Sequence, residues 1–482
     1  MESNKIYVPS RFENILNNYK DYSTIYVKPK EDIKSMLNLI EKMNTQKGGA
    51  LSILKGKTGI GKTTMIYTLT HYEPQIFDKV ISIPENIEFP DILNNIKEKI
   101  GEATEQIKIV LLDGREIIDD ETGLTNFLTS LNQLLRRRKD LLVCWPVNNE
   151  EWYNKLVEKG REIGGKNFIP SQATIEVQGP EKDTWKQALE NLLIFMDKTF
   201  EELSIDDTMI RDILKTSNTL GEFLEEIGDV VSERLSEMHN EKELPEILFI
   251  ISSGKNVESE ANRLRRAGSY ILKAEELRSY SPKSEPGKFW AARGKKLAQE
   301  NLGYIITLFG AKLLTVKSTA VNYSCKFYGN KELEKYTEDS GMIMQKANGK
   351  KAVMSTDLYK FIFNEISEEL TSTPKGHITE DNLQLYKKIQ LKSATMHKAI
   401  NEAICNYFNE VINDNSVFRI TNVEYDAGDG NLQVDVIAEI NGKEYFLEFH
   451  HLSSGNCKAA SISSYIMDKL RSYAQHYDLI AR

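Results

Sequence analysis

Three glycines near the start of the chain have the spacing of a phosphate-binding loop. Gly56, Gly59 and Gly61 belong to the run GKTGIGKTT at positions 56–64, which satisfies the pattern G-x4-G-K-[ST]. Glycine lets backbone N–H groups close around phosphate oxygens, and the N-terminus of a following helix adds a partial positive charge. Since a predicted strand precedes the run and a predicted helix follows it, the motif predicts a nucleotide site.

Polar residues at the end of this motif could bind the phosphates and their metal ion. Lys62 is expected to reach the β- and γ-phosphates, Thr63 to ligate Mg²⁺, and Thr64 to complete the nucleotide-binding set. An acid that shares the metal should end a buried strand, and Asp113 does so after the apolar run IVLL at 109–112. We therefore expect Asp113 to hold the Mg²⁺ shell with Thr63.

This pattern resembles that of the additional-strand P-loop ATPases, the group that contains the AAA+ and STAND proteins. The resemblance implies ATP and Mg²⁺ as cofactors and a homo-oligomer assembled through the ATPase. Such proteins commonly carry a second acid directly after the metal-shell acid, but here Gly114 follows Asp113. Glu116 is the expected catalytic base, as in the STAND pattern, with a helix-cap acid as the alternative. Asn148 stands where such ATPases carry a polar sensor of the γ-phosphate.

Two carboxylates in apolar strands near the C-terminus form a second chemical signal. Asp435 lies in LQVDVI (432–437) and Glu448 in YFLEFH (445–450). A charge among apolar strand residues is costly to bury unless it is paired or binds a metal. Carboxylates on adjacent antiparallel strands can converge on one divalent cation, with the carbonyl of Phe449 as a third oxygen ligand. Such a site would polarise a scissile phosphate and activate water.

The order helix, strand, Asp-bearing strand, Glu-bearing strand, helix over residues 390–482 resembles the PD-(D/E)xK nuclease superfamily. Its pattern here is Asp435-x12-Glu448-x-His450, with histidine where the family usually has lysine. Two alternatives stay open. The strands could form an edge pair with outward-facing carboxylates, or the module could bind DNA without cutting it.

The resemblance also implies where the displaced cation would be found. Lys458 or Lys469 on the following helix could supply it, or His450 itself could orient water. Glu402, on the preceding helix, is the extra acid that some members of the superfamily use.

The elements that position these residues alternate between strand and helix. Continuous apolar runs without alternation indicate a parallel sheet covered on both faces, so we predict an α/β fold. The predicted strands of its first part are 50–54, 80–83, 107–112 and 141–145. The predicted domains are a P-loop ATPase core (1–180), an acidic helical lid (181–246), a mixed basic middle domain (247–375) and a restriction-endonuclease-like α/β domain (376–482).

The net charge of −9 is unevenly distributed. Residues 181–246 contain 18 acidic and 7 basic residues, whereas residues 251–300 contain 11 basic and 6 acidic residues. Because the acidic excess belongs to one helical segment, the overall charge does not exclude a nucleic-acid partner. The basic segment is the predicted DNA-touching surface, with a solvated face as the alternative. Its interleaved aromatic residues are Tyr270, Tyr280, Phe289 and Trp290.

The longest apolar stretch, residues 304–316, is too short to cross a bilayer, and the four cysteines lie too far apart in sequence for a metal-chelating pair. We therefore expect a cytoplasmic protein without a membrane partner. The predicted function is an ATP-regulated, Mg²⁺-dependent DNA endonuclease of bacterial anti-phage defence or restriction, with a protein partner encoded in the same operon. The alternative is a signalling or transposition-type ATPase whose C-terminal module only binds DNA or a partner protein.

Overall fold

A computed structural model describes residues 27–83, 85, 87–115, 120–266, 269–293, 300–363, 378–426 and 432–481. The chain forms two compact units. The first contains the residues up to Thr199 together with Asp207–Glu233, and the second contains Phe200–Asp206 together with the residues from Arg234 onward. Within the described ranges, no helix combines the length and the apolar character needed to span a membrane.

The first unit is built on a five-stranded sheet in which all neighbours pair in parallel. The strands are β1 (Ala50–Lys55), β2 (Phe77–Ser82), β3 (Ile107–Leu111), β4 (Leu141–Val147) and β5 (Thr174–Glu176). Their order across the sheet is β2-β3-β4-β1-β5. Every residue of β3 and β4 is buried, as expected when both faces of a parallel sheet are covered. The predicted α/β class with a parallel sheet is confirmed.

Helices precede, connect and follow the strands of this sheet. They are α1 (Lys30–Gln46), α2 (Lys62–Tyr72), α3 (Phe89–Ile100), α4 (Glu121–Leu135), α5 (Glu150–Phe168), α6 (Trp185–Phe195), α7 (Asp207–Thr216) and α8 (Leu220–Lys242), of which α8 belongs to this unit up to Glu233. The acidic segment 181–246 thus contains α6 to α8, and its role as a lid stays a prediction.

The second unit contains a mixed five-stranded sheet with the order β7-β6-β10-β9-β8. The strands are β6 (Glu246–Ser253), β7 (Lys312–Lys317), β8 (Phe418–Asp426), β9 (Gln433–Ile440) and β10 (Lys443–Leu452). Strand β6 pairs in parallel with both β7 and β10, whereas β9 pairs antiparallel with β10 and β8. The C-terminal region therefore contains a second sheet, which combines parallel and antiparallel strand pairs.

Helices of the second unit lie between these strands and after the last of them. They are α9 (Val257–Asn262), α10 (Ala274–Tyr280), α11 (Glu285–Arg293), α12 (Leu302–Leu308), α13 (Ser318–Tyr328), α14 (Lys331–Glu338), α15 (Lys346–Met354), α16 (Asp357–Ile362), α17 (Glu380–Ile412) and α18 (Ala459–His476).

The boundary predicted between residues 247–375 and 376–482 does not separate two sheets. Strands β6 and β7 come from the first of these segments, yet β6 pairs with β10 from the second, over eight residue pairs. Every residue of β6 is buried, so the strand needs a neighbour on each side. That neighbour lies about 200 residues further along the chain, and a pattern read locally cannot identify it.

Replacing Asp357 with alanine is expected to destabilise the second unit by about 3–5 kcal/mol. Arg265 Nη1 and Asp357 Oδ2 lie 2.8 Å apart in a buried ion pair, and the same carboxylate accepts a hydrogen bond from the backbone N–H of Thr315. The variant would leave a buried guanidinium uncompensated. Urea unfolding measures the loss, with Glu338→Ala as a control because its ion pair with Lys326 is exposed. Equal losses in the two variants would contradict this explanation.

Candidate functional site

The phosphate-binding loop connects the end of β1 to the start of α2, as its sequence pattern requires. Gly59 and Gly61 have φ angles of 78° and 102°, a backbone region that favours glycine over other residues. The N–H of Gly56 donates to the carbonyl of Val147 at the end of β4, over 3.2 Å. The three glycines of the motif therefore shape and anchor the loop at the carboxyl edge of the sheet.

Lys62 lies across this loop with its side chain largely buried. Its Nζ donates to the carbonyls of Gly56 (2.8 Å) and Lys57 (3.0 Å), and also to Oδ1 of Asn148. These three acceptors are all neutral oxygens. Phosphate oxygens are stronger acceptors for an ammonium group than neutral carbonyls. The predicted sensor Asn148 lies at the same place, after β4, and its sensing role stays a prediction.

Thr63 and Asp113 meet although 50 residues separate them in the sequence. The Thr63 hydroxyl donates to Asp113 Oδ2 over 2.7 Å, because β1 and β3 end at the same edge of the sheet with β4 between them. A hydroxyl and a carboxylate are oxygen ligands of the kind that Mg²⁺ takes. Thr64 follows as the third residue of α2, where its carbonyl accepts from the Thr68 hydroxyl. Glu116, the predicted base, lies outside the described residues.

The loop is also packed against the start of α8. The N–H of Gly221 donates to the carbonyl of Gly59 over 3.0 Å, and a Cβ on Gly221 would lie only 2.8 Å from Gly59 Cα. A capping box begins this helix: Glu222 N–H donates to the Thr219 hydroxyl, while the Glu222 carboxylate accepts from the N–H of Asn218. Helix α8, which belongs to the segment predicted as a lid, therefore forms part of the surroundings of the nucleotide loop.

In the second unit, Asp435 and Glu448 lie on the neighbouring strands β9 and β10. The last backbone pair between these strands joins Leu447 to Val436, so Glu448 and Asp435 come next in register. Beyond that pair, Asp435 Oδ2 accepts the N–H of Phe449 over 2.7 Å. The two predicted carboxylates are thus brought together at the point where the strand pairing ends.

Glu448 is fully buried, and its carboxylate contacts polar side chains on α18. Lys469 Nζ lies 2.6 Å from Glu448 Oε2, and the Tyr473 hydroxyl donates to Oε1. Burial raises the pKa of Glu448 to about 7, against the opposing effect of Lys469. Burial works to lower the pKa of Lys469, but the Glu448 and Asp435 carboxylates outweigh it and raise that pKa. Lys469 is therefore a firmly protonated cation beside both carboxylates.

His450 does not occupy the position of a cation. Its ring stacks on that of Tyr465, with centroids 4.0 Å apart and planes 6° from parallel. Burial and the nearby Lys469 lower the pKa of His450 to about 4, so the imidazole is neutral at pH 7. Lys458, the other predicted lysine, is the exposed N-cap residue of α18. Of His450, Lys458 and Lys469, only Lys469 places a positive charge next to the two carboxylates.

The predicted extra acid is not part of this cluster. Glu402 is exposed on α17 and, among the described residues, forms no ion pair or hydrogen bond with Asp435 or Glu448. No three His, Cys, Asp or Glu side chains in the described ranges are arranged to hold a metal ion. The carbonyl of Phe449 accepts from the Tyr465 hydroxyl over 3.3 Å. The oxygen donors that remain for a metal are those of Asp435, Glu448 and Phe449.

A pocket of about 460 Å³ opens beside these residues. Its walls include Gln390 and His397 from α17, Asp435 and His450 from the sheet, and Tyr465 and Lys469 from α18. His397 Nε2 lies 3.6 Å from a carboxylate oxygen of Glu424, a β8 residue that the sequence analysis did not identify. The sequence did contain a signal for the α18 wall, since Tyr465, Lys469 and Tyr473 recur every four residues and share one helix face.

The basic segment predicted over residues 251–300 is exposed only in part: among its described residues, Lys255, Lys283 and Lys288 are exposed, but Arg265 and Arg266 are buried. Arg265, Arg266 and Arg278 pair with acids outside the segment, whereas Arg293 pairs with Glu300 within it. Two of its four aromatic residues, Tyr270 and Trp290, are buried. The indole N–H of Trp290 donates to the carbonyl of Met467. The ion pairs are Arg265–Asp357, Arg266–Glu202, Arg278–Glu201 and Arg293–Glu300.

Comparisons with known proteins do not identify the fold, which is therefore described by its strand order alone. No protein-family model matches the chain, and no curated protein matches it. Among solved structures, a match is found to the S. cerevisiae Hsp104:casein complex in its extended conformation, at 11% identity, with 77% of this chain and 91% of that chain covered and a TM-score of 0.30. A TM-score this low supports no conclusion about shared architecture or activity.

Proposed function

We propose that the first unit binds ATP with Mg²⁺ and hydrolyses it. The observation that carries this proposal is the 2.7 Å contact between Thr63 and Asp113 beside the glycine loop, with Lys62 at the same sheet edge. These are the three functional groups that a phosphate-binding loop requires, in one place. Lys62 would neutralise phosphate charge, Thr63 and Asp113 would hold the metal, and bound Mg²⁺ would polarise the phosphate oxygens.

Asp113→Asn tests this assignment at the metal. The side chain keeps its size and can still accept from Thr63, but it loses the charge that holds a divalent cation. We expect ATP hydrolysis to fall by about 100-fold or more in Mg²⁺, the usual effect of losing one preorganised charge. Phosphate release measures the rate, and Asp78→Asn on the exposed side of β2 is the matched control. Wild-type rates in Asp113→Asn, or hydrolysis that survives EDTA, would contradict the proposal.

A second activity is favoured by the cluster around Glu448. We propose that the second unit is a Mg²⁺-dependent nuclease whose carboxylates Asp435 and Glu448 hold the metal and whose Lys469 replaces the lysine usually found two residues after the glutamate. Support comes from the 2.6 Å contact of Lys469 with Glu448 beside Asp435, at the wall of an open pocket. Lys469 would orient water and stabilise charge on the phosphate, and Mg²⁺ would supply Lewis acidity.

Combined in one chain, the two activities would make ATP binding or hydrolysis a control on DNA cleavage. Anti-phage defence or restriction, a cytoplasmic location, assembly through the ATPase, and a partner from the same operon remain parts of this proposal. The alternative is a signalling or transposition-type ATPase whose second unit binds DNA or a protein without cutting. DNA that is retained by the wild-type protein but never cleaved in Mg²⁺ or Mn²⁺ would favour that alternative.

A further inference from the structure

The residue after Asp113 leaves a space that a carboxylate from beyond the end of β2 fills. Gly114 has a φ of 72° and no side chain, so the acid commonly found at this position is missing. A Cβ built on Gly114 would lie 2.5 Å from Oε2 of Glu85 and 3.2 Å from the Cβ of Glu85. The carboxylate of Glu85 therefore lies where the side chain of an acid after Asp113 would begin.

Sheet register explains how Glu85 reaches this point. Strand β2 pairs in parallel with β3 through Ser82 and Leu111, and the N–H of Ile83 donates to the carbonyl of Leu111 over 3.0 Å. Three residues beyond that pair, Glu85 comes level with Gly114. Both positions lie past the carboxyl ends of their strands, at the edge that also carries Thr63 and Asp113.

The carboxylates of Asp113 and Glu85 differ in their hydrogen bonding and in their exposure to water. Asp113 is engaged through both carboxylate oxygens, by the Thr63 hydroxyl (2.7 Å) and by the N–H of Gly114 (3.1 Å). Glu85 is exposed, so water can reach it. A side chain of β4 holds the turn that carries Asp113: the indole N–H of Trp145 donates to the carbonyl of Arg115 over 3.1 Å.

We propose that Glu85 is the carboxylate that orients and deprotonates the water that attacks the γ-phosphate. In this step the water oxygen forms a bond to the γ-phosphorus, and the bond from that phosphorus to the bridging oxygen breaks. The electron pair leaves with ADP, and the water proton goes to Glu85. The inference rests on the proposed ATP hydrolysis and assigns the base to a residue that follows β2, the neighbour of β3, whereas the sequence pattern assigns it to Glu116.

Glu85→Gln is the test, with two readouts. We expect hydrolysis to fall by about 100-fold or more, as when a general base is removed. Affinity for a fluorescent ATP analogue should stay within about twofold of wild type, because Lys62, Thr63 and Asp113 are untouched. Chromatography of the nucleotide retained by the variant should find ATP, whereas wild type retains ADP. Glu88→Gln, at an exposed residue before α3, is the matched control.

Three results would overturn the inference. Glu85→Gln could hydrolyse ATP at the wild-type rate, it could lose ATP binding together with hydrolysis, or Glu116→Gln could lose hydrolysis while Glu85→Gln keeps it. Failure of the proposed function looks different, because the wild-type protein itself would then neither bind nor hydrolyse ATP, and the inference would fail with it.

Discussion

Lys62→Ala is expected to abolish ATP hydrolysis and to weaken ATP binding. Lys62 lies across the loop and donates to the carbonyls of Gly56 and Lys57 and to Asn148. Its loss removes the positive charge that would face the β- and γ-phosphates, and we expect the rate to fall by about 100-fold or more. Phosphate release at saturating ATP measures the effect on the rate.

The matched control for this variant is Lys79→Ala, which removes an exposed lysine from β2 in the same unit. It should hydrolyse ATP at the wild-type rate, since its side chain lies on the strand and not at the carboxyl edge of the sheet. Turnover by Lys62→Ala at half the wild-type rate or more would contradict the assignment of the loop.

Lys469→Met is expected to lower the rate of Mg²⁺-dependent DNA cleavage by about 100-fold or more. The ammonium group lies 2.6 Å from the buried Glu448 carboxylate, and methionine keeps the length of the side chain but removes its charge. The variant also leaves the Glu448 carboxylate buried without its partner, and we expect a measurable loss of stability as well. Nicking of supercoiled DNA measures the activity, and circular dichroism shows whether the variant is folded.

Two further variants separate catalysis from folding in this test. Glu448→Gln removes the charge but keeps the shape, so it should stay folded and still fail to cut. Lys458→Met changes the exposed N-cap residue of α18 and should cut at the wild-type rate. Cleavage lost in Lys458→Met but kept in Lys469→Met would show that the other predicted lysine acts in the reaction.

Local chemistry made the nucleotide loop predictable. Nine contiguous residues from Gly56 to Thr64 carry the whole signal, and Asp113 is marked by the apolar strand that it ends. The parallel sheet followed from continuous apolar runs such as residues 109–112 and β4, because strands buried on both faces have no polar alternation. These features depend on residues that lie close together in the chain.

Contacts between distant parts of the chain could not be predicted in this way. Strand β6 has the same apolar pattern whether it pairs within its own segment or with β10, as it does. The charge count over residues 251–300 recorded arginines without their acids, since Arg265 pairs with Asp357 some 90 residues later. Glu85 reaches Gly114 through the register of β2 with β3, which no spacing in the sequence expresses.

The central claim is that the first unit is a nucleotide-binding unit, and calorimetric titration of ATP into the full-length protein tests it most directly. With Mg²⁺, the wild-type chain should bind one ATP per chain, and EDTA should weaken the binding because Thr63 and Asp113 then have no metal to hold. Lys62→Ala should show little or no saturable binding. The absence of saturable binding to the wild type, or equal binding by Lys62→Ala, would contradict the account.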